Sequence, residues 1–125
     1  MALLLAACAP EPEAPQQARP LGHRDPLHAG DWRGAMGGTM IDFRVDQVSP
    51  AGVEVRISGT VIAPPKGLPA TETYFYDRPK TCTRRPDGRT FDCPHYADMH
   101  IDNGLLCGSY VRESQVFHPC FEPVR

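Results

Sequence analysis

Met40-Ile41-Asp42-Phe43-Arg44-Val45-Asp46 is followed, across the turn cluster Ser49-Pro50-Ala51-Gly52, by Val53-Glu54-Val55-Arg56-Ile57-Ser58. In the first run Ile41, Phe43 and Val45 alternate with Asp42, Arg44 and Asp46; in the second Val53, Val55 and Ile57 alternate with Glu54, Arg56 and Ser58. A period of two puts the apolar side chains on one face of an extended chain and the charges on the other, so the pair reads as a hairpin with one buried and one wet face. The second strand is expected to run on through Thr60, Val61 and Ile62, with Gly59 as a bulge or bend. Pro64, Pro65, Gly67 and Pro69 then stop it.

Further strands are expected at Glu72–Asp77, which holds Thr73, Tyr74, Phe75 and Tyr76, and at roughly 80–85, 89–93, 105–112 and 115–121. Helical periodicity is absent, and 14 Pro with 11 Gly argue against long helices. The fold class is all-β, a small antiparallel barrel or sandwich. The 125 residues make one domain at most. A net charge of -2 excludes a nucleic-acid binder held by bulk phosphate neutralisation.

Four cysteines fall in the expected strands, Cys82, Cys93, Cys107 and Cys120. Four allow three pairings. Treating Pro86-Asp87-Gly88-Arg89 as a hairpin loop pairs Arg85 with Thr90 and sets Cys82 opposite Cys93. A turn at Glu113-Ser114 pairs Arg112 with Gln115 and sets Cys107 opposite Cys120. Both registers close without a slip, which favours disulfides 82–93 and 107–120. A four-Cys zinc site would call for close pairs such as C-x₂-C, which are missing.

Residues 1–8 read Met-Ala-Leu-Leu-Leu-Ala-Ala-Cys. Leu5-Ala6-Ala7-Cys8 resembles the lipobox of bacterial lipoproteins. The resemblance implies cleavage before Cys8, acylation of Cys8 as the sole covalent lipid group, and a stable membrane anchor. Seven residues before Cys8, with no Lys or Arg before Arg19, are short for such a signal, so its natural start is expected upstream of Met1. Ala9, where an Asp would signal inner-membrane retention in enterobacterial lipoproteins, implies the periplasmic face of the outer membrane. Residues 8–30 hold five prolines and are expected to form a disordered tether with solvated His23 and His28, leaving 31–125 as the domain. Gly30-Asp31-Trp32, followed by Gly34, is similar to the opening strand of lipocalin-like and avidin-like barrels, where a Trp closes one end.

Two segments carry polar chemistry. Arg78, Lys80, Arg84, Arg85 and Arg89 against a single Asp87 would make a basic finger, fit for an anionic partner, with Tyr74, Phe75 and Tyr76 beside it. His95, Asp98, His100 and Asp102 lie in what reads as a surface loop, 94–104, ending in an Asp-Asn-Gly turn. These nine residues are the candidate protein-binding positions. As metal ligands, His95, Asp98, His100 and Asp102 match no closed motif, and Met36, Met40 and Met99 read as core or loop rather than copper ligands. Catalytic patterns are missing: no serine sits in Gly-x-Ser-x-Gly, Gly34-Ala35-Met36-Gly37-Gly38 lacks the Lys and helix of a phosphate loop, and both bridges would leave no thiol in the domain.

The reading is a membrane-anchored periplasmic, non-enzymatic protein-binding module without metal or organic cofactor. It would be an inhibitor or immunity protein against a wall-degrading effector, or an accessory subunit of an envelope secretion complex. The alternatives are a lipocalin-like carrier with Trp32, Phe43, Tyr74 and Phe75 lining a lumen, and a metal-binding envelope protein.

Overall fold

The computed structural model describes residues 22–62, 75–76 and 78–125. Among these described residues are nine strands: β1 Gly30–Met36, β2 Thr39–Ser49, β3 Gly52–Val61, β4 Lys80–Arg84, β5 Phe91–Cys93, β6 Tyr96–Asp102, β7 Leu105–Arg112, β8 Gln115–Phe117 and β9 Cys120–Pro123. Strands run in the order β6-β5-β4-β3-β2-β1-β9-β7, and a β6–β7 pairing closes the ring into an eight-stranded antiparallel barrel, with β8 beside β7. The deciding hairpin is present: Phe43 faces Ile57 and Val45 faces Val55, all buried, while Arg44 faces Arg56 on the outside. A register shift between Val45 and Gln47 leaves Asp46 as an extra residue on β2.

Both cysteine registers appear as the turn geometry requires. The Arg85 N–H donates to the Thr90 carbonyl at 2.8 Å, and the Asp87 carboxylate accepts from the Arg89 N–H and the Thr90 hydroxyl at 2.9 and 2.7 Å. Cys82 and Cys93 are bridged, as are Cys107 and Cys120. β8 and β9 keep one register along β7, with Tyr110 opposite Phe117 and Cys107 opposite Cys120. They are one strand interrupted at His118-Pro119, where proline has no N–H to give; the Gly108 N–H still donates to the Pro119 carbonyl at 3.1 Å.

Segment 94–104 departs from its reading as a loop. Most of it is β6, with Tyr96, Met99 and Ile101 fully buried. Asp98 has φ 57°, and the ladder to β7 shifts register between Ala97 and His100, so Asp98 is a bulge that reverses the parity of the strand. Gly108 on β7 makes room for it: a Cβ there would meet Met99 Sδ and lie 2.9 Å from the Ala97 carbonyl oxygen. The expected Asp-Asn-Gly turn is real, a two-residue connection with Asn103 and Gly104 both at positive φ.

The interior is filled. Trp32, Phe43, Phe91, Tyr96, Tyr110 and Phe121 are all at most 1% exposed, and Phe43 meets Tyr96 edge-on with ring centroids 5.6 Å apart. An eight-stranded barrel is just wide enough for its own side chains. Trp32 sits at the end that carries turns 50–51 and 103–104, with its Nε1–H donating to the Gly104 carbonyl at 3.0 Å.

The tether expected over 8–30 needs a correction at its end. Its described part lies on the barrel: the Asp25 N–H donates to the Ile101 carbonyl at 2.6 Å, Leu27 packs on the core, and the His28 ring lies 5.4 Å from that of Trp32. His23 is not a solvated linker residue either, since its Nε2 lies 2.7 Å from Asp25 Oδ1. The Pro-rich composition of the whole stretch hid one apolar anchor and two ionic ones. The lipobox, Cys8, the rest of the tether and most of the expected strand 72–77 fall outside the described residues. Phe75 and Tyr76 of that strand are not in a ladder, though the Tyr76 N–H donates to the Ile57 carbonyl at 3.2 Å.

Candidate functional site

The basic finger and the acidic segment are not separate surfaces. The β4–β5 hairpin puts Arg85 beside β6, where its guanidinium holds Asp92 with two bonds of 2.7 Å and reaches Asp98 at 3.1 Å. Asp98 is aimed there by its bulge, whose N–H donates to Asp92 at 2.8 Å. Arg24 of the N-terminal segment also reaches Asp98, at 3.3 Å, and Arg89 donates to the Arg24 carbonyl at 2.9 Å. The Arg85 guanidinium beside Asp92 holds its carboxyl below the usual carboxylate range, against the cost of partial burial. Asp25 is lowered too, first by His23 and then by the N–H groups of Gly104 and Asn103. The cluster is therefore a clamp that straps residues 23–25 across the β4–β6 side.

The free positive finger is thus corrected. Within 78–89 only Asp87 opposes the basic residues, whereas Asp92 and Asp98 arrive from neighbouring strands. Arg84 is turned inward, donating to the carbonyls of Ser49 and Gly88 at 3.1 Å each. Arg78 is exposed, and Lys80 lies over the Tyr76 ring, 5.6 Å from its centroid. His95 sits in the β5–β6 turn with φ 67°, its Nδ1 3.3 Å from the Val111 carbonyl oxygen. His100 stands on the outer face of β6, its Nδ1 2.7 Å from the Asp98 carbonyl oxygen, and Asp102 precedes the 103–104 turn. Among the described residues no group of three His, Cys, Asp or Glu is arranged to hold a metal ion. Arg24 and Asp92, which complete the clamp, were missed because nothing local in the sequence marks them.

A second polar arrangement covers the outer face of β1–β3. Two rows of outward side chains cross the strands, Asp31-Arg44-Arg56 and Arg33-Asp42-Ser58, separated by the inward row Trp32-Phe43-Ile57. Between them runs a surface groove of about 450 Å³, ending near Tyr76 and Val124. Arg44 donates to Asp31 at 2.7 Å, Arg33 to Asp42 at 2.7 Å, and Arg56 to Asp46 at 2.9 and 3.0 Å. The alternation in β2 announced a charged wet face, but only the register shows which charges meet.

At the opposite end from the strap, Val61, Ile62, Phe75, Val111 and Val116 are exposed, Val61 by 72%. Val111 and Val116 face each other across β7–β8. Comparison with family models, with curated proteins and with solved structures finds no match to this chain.

Proposed function

We propose that the chain is a lipid-anchored, non-enzymatic protein-binding module on the periplasmic face of the outer membrane. The observation that supports this most is the filled interior: the aromatic side chains of Trp32, Phe43, Tyr96 and Tyr110 occupy the volume a carried ligand would need. Recognition then belongs to the outer surface. Two disulfides in so small a domain suit an oxidising compartment, and Leu5-Ala6-Ala7-Cys8 supplies the anchor in this reading. The strap delivers the tether to one end of the barrel, and the exposed valines with Phe75 lie at the other. A partner would meet that far end, in the manner of an inhibitor or an accessory subunit.

The test is affinity purification of the tagged full chain from detergent-solubilised envelope, followed by mass spectrometry and repetition with Val111→Asp and Val116→Asp. One stoichiometric protein that is lost from both variants supports the proposal. A partner-free monomer, or a partner retained by both variants, sinks it.

A further inference from the structure

We propose that the groove between the Asp31-Arg44-Arg56 and Arg33-Asp42-Ser58 rows is a binding site for a tetrahedral oxyanion, a phosphate group borne on a sugar or a lipid. The inference is independent of the protein-binding reading. Three guanidiniums, Arg33, Arg44 and Arg56, line this one groove. All three act on the Asp31 carboxyl, which is held below the usual range first by its bond to Arg44 and further by the charges of Arg44, Arg56 and Arg33. Arg44 and Arg56 sit directly opposite each other on β2 and β3. Like charges in that position repel, and Arg44 acts against the charge on Arg56, offset by the Asp46 carboxylate that lies 2.9 Å from Arg56 and 4.0 Å from Arg44. A second anion, held by the donors that Asp31 and Asp46 leave over, would add to that offset.

The carboxylates orient the arginines without using them up. Arg44 and Arg56 are gripped through Nε and Nη2, and Arg33 through Nε alone, so among the described residues the Nη1 groups of Arg44 and Arg56 and both terminal nitrogens of Arg33 are left for another acceptor. Each of the three side chains is about half exposed, at 49–53%. A planar carboxylate offers two oxygens to three donors, whereas a phosphate monoester offers three, and Arg forks suit that geometry. The groove volume of about 450 Å³ exceeds a bare phosphate and leaves room for the group that carries it. Asp31, Asp42, Asp46 and the neighbouring Glu54 outnumber the three arginines by one, so no long-range field draws an anion in, and binding rests on short-range hydrogen bonds that are weak and salt-sensitive. The anionic partner expected for the finger 78–89 is thereby moved to a different face.

Nitrogen-15 NMR of the full chain, titrated with inorganic phosphate against sodium chloride of equal ionic strength, tests this. The expected result is a saturable shift of the arginine Nε–H signals and of the Trp32, Phe43 and Ile57 amides with phosphate alone. Arg56→Gln should weaken it roughly tenfold, as loss of a charge-assisted pair does. Asp31→Asn removes a competing carboxylate and should tighten it; a merely structural salt bridge would not do so, and this variant keeps the test open should Arg56→Gln misfold. Two further arms separate the sources. Hexose phosphate outcompeting inorganic phosphate marks a soluble sugar phosphate, and saturable binding to phosphatidylcholine vesicles doped with phosphatidic acid marks a lipid headgroup. Shifts that match chloride, or that survive Arg56→Gln unchanged in a folded protein, overturn the proposal.

Discussion

Gly108→Ala should be among the most damaging single-methyl changes available to this barrel. The added Cβ would press on Met99 Sδ and lie 2.9 Å from the Ala97 and 3.2 Å from the Asp98 carbonyl oxygen. Met99 is flexible, but the two carbonyls belong to the bulge and cannot swing aside without moving β6. Overpacking a tight site costs about 1–3 kcal/mol, and contact with backbone puts this one at the upper end, ~3 kcal/mol. For a domain near 100 residues that lowers Tm by more than about 10 °C. Gly104→Ala is the control: nothing lies within 4 Å of its Cβ, and only the φ of +85° opposes it, for about 1 kcal/mol. Thermal unfolding followed by circular dichroism, with urea titration for the free energies, measures both. If Gly108→Ala melts within about 2 °C of the parent, β7 can back away from β6 freely, and the argument that Gly108 sets the bulge fails.

Replacing Cys82 and Cys93 together by serine should cost about 3 kcal/mol from the chain entropy of so short a loop, seen as a lower urea midpoint. Asp98→Asn should release the strap while costing at most about 1 kcal/mol, because its ion pairs are solvent-screened; faster hydrogen exchange at the Asp25 amide reads the release, and unchanged exchange refutes the clamp. Asp25, Asp31, Asp87 and Asp92 all have folded pKa values below 3.8. Their contribution is therefore complete above the unfolded value and lost as pH falls through the folded ones, so Tm should be level from pH 7 to about 5 and drop below about 4. Trp32→Phe removes the donor to the Gly104 carbonyl and should cost about 1–2 kcal/mol, measured by the same urea titration.

The hairpin 40–58 and both disulfide ladders were legible because each is local: alternation gives the faces, and a short turn gives the register. β6 was not, and Asp98 is the reason. One inserted residue places Tyr96 inside, then Met99 and Ile101 rather than 98 and 100, so the period-two signal breaks in mid-strand and the segment reads as loop. The candidate site failed for a different reason. Along the chain Arg85 has only Asp87 nearby to oppose it, while Asp92 and Asp98 reach it across the sheet. Arg44 and Arg56, thirteen positions from Asp31 and ten from Asp46 respectively, meet their partners only once the registers of β1–β3 are known.

The interruption at His118-Pro119 bears on how the barrel shuts. Residues 120–123 must serve two neighbours, and toward β1 they contribute only two facing pairs, Trp32 with Pro123 and Arg33 with Glu122. Those pairs join chain segments about ninety residues apart, the costliest loop in the molecule to close. Both disulfides lie inside hairpins, so neither spans this junction. An oxidised chain can then unzip between β1 and β9 while every hairpin survives. That seam should be the last part of the wall to form, and the first to part under load.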